Sequence, residues 1–151
     1  MSFEMEAESD SWPPVLSERT WCERTDVRGE LRVLNTPLFV RGIAYGDRIA
    51  ARPDHELREL VYEELTGESG YSTLRIVLHE DDERAAVEEH LGTVGCVWES
   101  SCTFAQLIAV DVPPTVDYAS LRGWLIRRQQ AGGIGLQEGA ISGIHHRQAR
   151  D

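Results

Sequence analysis

The chain has 151 residues, of which 41% are hydrophobic and 27% charged, and its formal net charge is −11. This length and composition fit one globular domain, or two small subdomains sharing a core, without a metal or a disulfide to hold them together. The charge argues against nucleic acid and anionic membranes as partners, because both require clustered positive charge. A basic protein or a small molecule stays open as a partner, and so does a homodimer.

The basic residues are all arginine, since none of the 15 basic positions is a lysine. Schiff-base, phosphate-loop and general-base lysines are therefore excluded as catalytic groups. The three cysteines, Cys22, Cys96 and Cys102, form no C-x-x-C pair, and the sequence has neither an apolar signal segment nor an apolar run of membrane-spanning length. These features predict a cytoplasmic protein whose thiols are free and reduced.

The first part of the chain predicts an acidic arm followed by a small β-rich unit. Residues 1–16 are expected to form a flexible arm that ends in the stiff Trp12-Pro13-Pro14 segment. Alternating apolar residues predict strands over 17–25, 29–35 and 48–52, with an irregular extended segment over 38–45. Turn signals lie at 26–28, at Gly46-Asp47 and at Pro53-Asp54.

Residues 56–65 carry two conflicting signals. Leu57, Leu60, Val61 and Leu65 recur at helical spacing. The preceding Pro53-Asp54 turn suits the second strand of a hairpin instead. The pattern alone leaves both helix and strand open for this segment.

A more regular pattern begins at Tyr71. Strands are predicted over 71–79, 97–103, 105–112 and 134–141. The first of two predicted helices covers 83–94, with Asp81 or Asp82 as its cap and Gly95 as its end. Asp117 caps the second helix, which stops before Gly132-Gly133.

The order strand-helix-strand-strand-helix-strand predicts an α+β protein with a ferredoxin-like β-α-β-β-α-β unit. That unit covers 69–142 and follows a barrel-like β-rich subdomain over 17–68. Residues 143–151, which include His145-His146, are expected to form a flexible tail. The fold hosts many functions and therefore predicts none of them.

Several short strings of the sequence stand together as a pattern: Asn35-Thr36-Pro37-Leu38-Phe39, Gly46-Asp47, Ser69-Gly70-Tyr71-Ser72-Thr73-Leu74-Arg75, the run from Leu91 to Gly95, Glu99, and Ala109-Val110-Asp111-Val112-Pro113. This pattern resembles one bacterial family, the domain-of-unknown-function family 4265. The resemblance covers about 18–140, and Tyr71 stands where the family usually has histidine. It implies an architecture rather than an activity, and it implies that 56–65 is a strand.

The string 69–75 is the best candidate for a ligand site. A glycine between two serines can present hydroxyl and backbone N–H groups to an anion, and Arg75 can clamp a carboxylate. The predicted ligand-binding set is Ser69, Ser72, Thr73, Arg75, Asp47 and Glu99. In the alternative reading the serines satisfy a turn, and Arg75 is tied to an acid such as Asp47 or Glu99. We expect the string to lie where the two halves of the chain meet.

No catalytic residue, metal ligand or cofactor is predicted. A serine nucleophile needs an oriented base, and His79 is roughly 23 Å from Ser72 along an extended strand. The G-x-S-x-G and H-E-x-x-H motifs are absent. Cys96 and Cys102 lack the spacing of a zinc site.

The leading functional hypothesis is a small acidic binding module without catalytic activity, in a regulatory or immunity-like role. An acidic stretch would be either its docking surface or a solvated face; it consists of Glu56, Glu59, Glu63, Glu64 and Glu68. The alternative is a small enzyme or biosynthetic-pathway accessory with a pocket between the two halves, using Asp47 or Glu99 as acid or base. The four tryptophans are expected in the core or at the contact between the subdomains, whereas an exposed one would indicate an interface anchor.

Overall fold

A computed structural model describes residues 1–5 and 13–150 of the chain, which form two β-sheets and three helices. The predicted α+β class is confirmed. Most of the predicted acidic arm, including Trp12, lies outside the described residues. The arm prediction is wrong for Ser2–Glu4, which form a strand because they pair with chain from both sides.

The N-terminal sheet has six strands in the order β2-β1-β6-β5-β4-β3. They are β1 (Ser2–Glu4), β2 (Ser17–Arg19), β3 (Cys22–Arg24), β4 (Glu30–Val33), β5 (Arg48–Asp54) and β6 (Glu59–Gly67). β2 and β3 are neighbours in sequence but lie at opposite edges of the sheet, so the sheet curls into a half-barrel. Phe3, Leu31, Val33, Val40, Ile43 and Ile49 fill its interior.

The single strand predicted over 17–25 is divided in the structure. Its first part pairs with β1 and its second part with β4. The change of partner falls at Thr20 and Trp21, where the Thr20 N–H donates to Met1 and the Trp21 carbonyl accepts from Leu34. Alternation along one segment cannot reveal such a change, because both parts keep the same period.

The ambiguous segment 56–65 is a strand over most of its length, as the family resemblance implied. β6 pairs antiparallel with β5 from Arg48 to Asp54. The hairpin turn lies later than predicted, because Asp54 ends β5 and its carboxylate accepts hydrogen bonds from the backbone N–H groups of Glu56 and Leu57. The helical spacing of the leucines therefore includes one turn residue, Leu57, whose side chain is exposed.

The C-terminal sheet is antiparallel throughout, with the strand order β10-β7-β9-β8. The elements in chain order are β7 (Ser72–Leu78), α1 (Asp81–Val94), β8 (Val97–Ser100), β9 (Leu107–Val112), α2 (Tyr118–Gln130), β10 (Ile134–Ala140) and α3 (Gly143–Gln148). The apolar faces of α1 and α2 pack on one face of the sheet and bury Leu74, Ile76, Ile108 and Val110. None of the helices in the described part of the chain is long and apolar enough to span a bilayer.

The helix ends partly follow the sequence signals. Asp117 caps α2 by accepting from the Ser120 N–H, and Gly95 ends α1 with a φ of 92°. The predicted cap at Asp81 or Asp82 is wrong. Helix α1 begins after Glu80, whose side chain makes no capping bond, and the two aspartates lie in its first turn beside the positive end of the helix dipole.

The last segment forms a helix rather than a flexible tail over Gly143–Gln148. The Ser142 side chain caps α3 by accepting from the His145 N–H. His145 is fully buried against the ring of Tyr118, with 5.0 Å between ring centroids. A buried side chain anchors these residues, which sequence polarity alone did not indicate.

The three cysteines are free, as predicted. Cys96 is buried in the C-terminal core, and burial raises the pKa of its thiol to about 12. Cys102 is exposed and Cys22 partly buried.

Candidate functional site

Residues 36–47, which we call the covering segment, lie across the face of the C-terminal sheet that the helices leave open. The Gly42 N–H donates to the Gly139 carbonyl at 2.8 Å, and the Thr73 hydroxyl donates to the Ile43 carbonyl at 3.4 Å. Phe39 packs edge-on against Phe104, with 5.5 Å between ring centroids. The segment contains no helix or strand, so its backbone groups need partners from elsewhere in the fold.

Arg75 lies on β7 beneath the covering segment, and its side chain is 1% exposed. The guanidinium donates to the carbonyls of Val40 and Pro37, and to Gln137 Oε1 at 2.8 Å. These bonds run to backbone carbonyls and an amide rather than to Asp47 or Glu99, the acids that the sequence suggested. The arrangement makes Arg75 a tie between the two halves of the chain.

The position of Arg75 also explains a glycine on the neighbouring strand. A Cβ atom at Gly139 would lie 2.7 Å from Nη1 and 2.9 Å from Cζ of Arg75, both too close for real contacts. A side chain at 139 would therefore displace the guanidinium from the covering segment.

Asp47 and Ser69 form a second tie at the end of the covering segment. The Asp47 carboxylate accepts from the Ser69 N–H at 2.7 Å and from the Ala44 N–H at 2.8 Å. The Ser69 hydroxyl donates to the Tyr45 carbonyl at 2.6 Å. Burial raises the pKa of Asp47, while these hydrogen bonds oppose that rise. These hydrogen bonds satisfy the backbone groups of a turn, which was the alternative interpretation of the serine residues.

Ser72 points to the other face of the sheet, where it meets the last helix. Its Oγ lies 2.6 Å from His145 Nδ1 and accepts from the Ser142 N–H at 2.9 Å. His145 Nε2 lies 3.1 Å from the Pro113 carbonyl, which can only accept, so Nε2 carries the proton and Nδ1 accepts from the serine. Burial lowers the pKa of His145.

Ser72 and His145 are hydrogen-bonded as a nucleophile and its base would be, but a substrate cannot reach either side chain. Both side chains are fully buried, and the Nε2 proton of His145 is engaged by a carbonyl. His79 was the histidine weighed from the sequence as a partner of Ser72, whereas the histidine that contacts it is His145, which lies 73 positions away. We assign the pair a role in holding α3 against the sheet.

Two buried acids of this region were not predicted as site residues. Glu18 on β2 accepts hydrogen bonds from the N–H groups of Leu38, Phe39 and Val40 at 2.6, 2.9 and 3.0 Å. Nothing in its local sequence distinguishes Glu18 from a solvated strand residue. The carboxylate holds the covering segment from the side of the half-barrel, opposite Arg75.

Asp111 on β9 is the second of these acids and is 7% exposed. Its Oδ2 accepts from the Thr36 hydroxyl at 2.6 Å, and no residue of the described chain donates to its Oδ1. Burial raises the pKa of Asp111 to about 6, and the charge of Glu99 contributes in the same direction. Its sequence signal is an acid inside the apolar run of β9, a position where a carboxylate is unusual.

The predicted site is therefore only partly assembled. Asp47 belongs to the covering segment, and Ser69, Thr73 and Arg75 contact it. Ser72 faces α3, and Glu99 is exposed on the edge strand β8. Arg75 also lines a shallow hollow of ≈ 220 Å³, together with Val77, Gly135, Leu136 and Gln137. Within residues 1–5 and 13–150, no group of three or more His, Cys, Asp or Glu side chains is arranged to hold a metal ion.

Comparison with known proteins gives a family and a fold. Residues 18–136 match the family described as "Domain of unknown function (DUF4265)". A solved chain described as "Novel crystal structure of a hypothetical protein from Neisseria gonorrhoeae" is similar, with a TM-score of 0.69 and 23% identity over 83% of this chain and 84% of that one. No curated protein matches the sequence. The chain belongs to the DUF4265 family.

Proposed function

We propose that this protein is a non-catalytic binding module that recognises a basic protein in the cytoplasm, in a regulatory or immunity-like role. The observation that carries the proposal is Trp21, whose side chain is 80% exposed. An indole left in water at an edge strand adds nothing to the core, whereas tryptophan is enriched among the residues that anchor protein interfaces.

Trp21 belongs to a series of exposed or partly exposed side chains that we call the aromatic stripe. It consists of Trp21, Leu34, Tyr45, Tyr71 and Ile144. Leu34, also exposed, is bonded to Trp21 through their backbones at 2.9 Å and shares its face of the sheet. The Gly46 N–H then donates to the Val33 carbonyl, which places the backbone that follows Tyr45 against the backbone that precedes Leu34. The ring of Tyr45 contacts that of Tyr71 at 5.2 Å between centroids.

The far end of the aromatic stripe is apolar and acidic. Ile144 is exposed there, and its Cδ1 is 3.4 Å from where a Cβ of Gly70 would lie. The exposed Glu68 accepts from the Gly143 N–H at 3.1 Å beside it. With a net charge of −11 on the whole chain, a basic partner is attracted and a second copy is repelled.

We further propose that the C-terminal half is ferredoxin-like. Its elements follow the order β-α-β-β-α-β, and its first, second, third and fourth strands are arranged 4-1-3-2 with every pairing antiparallel. Both helices pack on one face, as this arrangement requires.

Asp111 supports the second candidate function, a small enzyme. General acids and bases are often buried carboxyls with a raised pKa, and one oxygen of Asp111 has no donor among the described residues. The covering segment lies over this region, however, so a substrate would have to displace it. We rank the binding module first because Ser72, Thr73 and Arg75 are buried and already hydrogen-bonded within the protein.

The proposal is tested by quantitative affinity purification from the host, comparing the wild type with Trp21→Ser and Leu57→Ser. Leu57 is a matched control, since it is an exposed apolar residue outside the aromatic stripe. We expect a basic protein to be enriched by the wild type and by Leu57→Ser. Trp21→Ser should weaken the dissociation constant measured with the purified partner by about 30-fold, as expected for an interface anchor.

Two results would contradict the proposal. The first is equal recovery of the same partner by Trp21→Ser and the wild type. The second is turnover of a substrate by the purified protein that Asp111→Asn abolishes, which would favour the enzyme.

A further inference from the structure

An open hollow of ≈ 460 Å³ lies at one end of the half-barrel, away from the covering segment. The β5–β6 hairpin projects there beyond the β3–β4 hairpin, and the hollow lies between them. Its lining consists of Arg24, Thr25, Asp26, Val27, Arg28, Gly29, Glu30, Leu31, Ala51, Pro53 and Leu60. Its volume falls in the range of about 300–1,000 Å³ that small-molecule sites occupy, and barrel mouths are frequent ligand sites.

The floor of this hollow is apolar and belongs to the core of the half-barrel. Leu31 is buried in that core, and Ala51 and Leu60 pack against it while remaining partly exposed. Pro53 and Val27 complete the apolar wall, and Val27 is 58% exposed. An apolar ligand seated here would continue the existing core and cover these side chains.

The rim of the hollow carries the guanidinium groups of Arg24 and Arg28. No salt bridge of either residue exists within the described residues, whereas Arg19 and Arg32 of the same sheet are paired. Both groups therefore stand beside the apolar floor without a carboxylate partner among the described residues.

Of the two acids on the rim, one is already engaged. The Glu30 carboxylate accepts from the hydroxyls of Thr25 at 2.8 Å and Thr66 at 2.7 Å, and these bonds lower its pKa. Asp26 is the other acid and is exposed at the tip of the hairpin. The cations that are free to meet a ligand therefore outnumber the free carboxylates.

We infer that the mouth of the half-barrel binds a small amphiphilic carboxylate, with the apolar body on Leu31, Ala51 and Leu60 and the carboxylate between Arg24 and Arg28. Arginine suits this role because its planar fork can bind a carboxylate through two parallel hydrogen bonds. The site is separate from the aromatic stripe, so it does not depend on the proposed protein partner.

Binding is tested with three probes of equal chain length, namely octanoate, octan-1-ol and octylammonium. Calorimetry and amide NMR titration of the full chain, below micelle-forming concentrations, give affinity and location. We expect octanoate to bind at the amides of Ala51 and Leu60, octan-1-ol to bind about tenfold more weakly, and octylammonium not to bind.

Variants separate the charged rim from the apolar floor. Arg24→Gln and Arg28→Gln should each weaken octanoate binding about tenfold, while Arg150→Gln, an exposed arginine on another part of the surface, should leave it unchanged. Ala51→Leu should block both octanoate and octan-1-ol by filling the floor. A folded-state spectrum recorded for each variant confirms that the comparison concerns binding.

Three results would overturn the inference. They are the absence of octanoate binding, equal affinity for octanoate and octan-1-ol, and octanoate affinity that survives Arg24→Gln and Arg28→Gln together. Trp21→Ser should not affect octanoate binding, so failure of this site and failure of the protein-binding proposal are distinguishable.

Discussion

Helices cover one face of the C-terminal sheet and the irregular covering segment lies across the other, and the side chains on the two faces differ accordingly. Leu74, Ile76 and Ile108 meet the helices, whereas Thr73, Arg75 and Asp111 lie toward the covering segment. A helix satisfies its own backbone hydrogen bonds, so the sheet that packs against it needs to supply only apolar side chains. An irregular segment leaves its carbonyl and N–H groups unpaired, so the sheet beneath must supply polar partners.

This difference explains why the string 69–75 has the composition of a ligand site. Its hydroxyls and guanidinium are used, but by backbone groups and by the side chains of Gln137 and His145 within the protein itself. Ser72 follows the same rule on the helical face, because it meets the N–H of Ser142, the cap residue of α3. This N–H group lies just before the first turn of the helix, where the helical hydrogen-bond pattern does not supply a partner.

The largest expected effect comes from removing the tie under the covering segment. Arg75→Met keeps most of the side-chain volume but leaves the carbonyls of Pro37 and Val40 buried without their donor. We expect the free energy of unfolding to fall by about 3–5 kcal/mol, measured by urea denaturation. Arg127→Met, at an exposed arginine, is the control and should change stability by less than about 0.5 kcal/mol. An unchanged midpoint for Arg75→Met would break the comparison between the two faces.

The second effect depends on pH and concerns Asp111. Because its folded-state pKa of about 6 lies above the ordinary value of 3.8, its contribution to stability is present at low pH and is lost as the pH rises through about 6. Asp111→Asn has no such loss. The stability of the variant relative to the wild type should therefore increase by about 2 kcal/mol between pH 4 and pH 7.5. A constant difference across that range would show that the carboxyl stays ionised in the folded protein.

A smaller effect is expected for Ser72→Ala on the helical face. The change leaves the Ser142 N–H and His145 Nδ1 without their partner and should destabilise the protein by about 2 kcal/mol. Amide exchange should show the loss concentrated in Gly143–Gln148, with β7 and β9 protected as before. Ser100→Ala, an exposed serine on β8, serves as the control. Uniform loss of protection across the sheet would mean that the serine supports the core rather than α3.

The smallest effect is expected at Trp21. Its side chain is exposed, so Trp21→Ser should alter the free energy of unfolding by less than about 0.5 kcal/mol, even though it should weaken partner binding about 30-fold. Thermal melting checks this directly. A loss of several kcal/mol would place the indole in the folded core in solution and would remove the basis of the aromatic stripe.

The sequence predicted best those strands and helices that follow from local patterns. Alternating apolar residues predicted the strands around Leu74 and Val110, and the cap residue Asp117 predicted the helix that follows it. The division at Thr20, the helix around His145 and the roles of Glu18 and Asp111 depend on contacts with distant residues. Local patterns contain no information about such contacts, although an acid within the apolar run of β9 does mark Asp111 as unusual.

The close approach of Arg75 to Gly139 has a consequence for how the family can vary. A larger residue at 139 needs the space that the guanidinium fills, and a shorter residue at 75 leaves the covering segment without its donor. Each substitution alone should therefore disturb the contact between Arg75 and the covering segment. Relatives are therefore expected to keep this arginine–glycine pair together or to have replaced both, with a different arrangement of residues 36–47 in the second group.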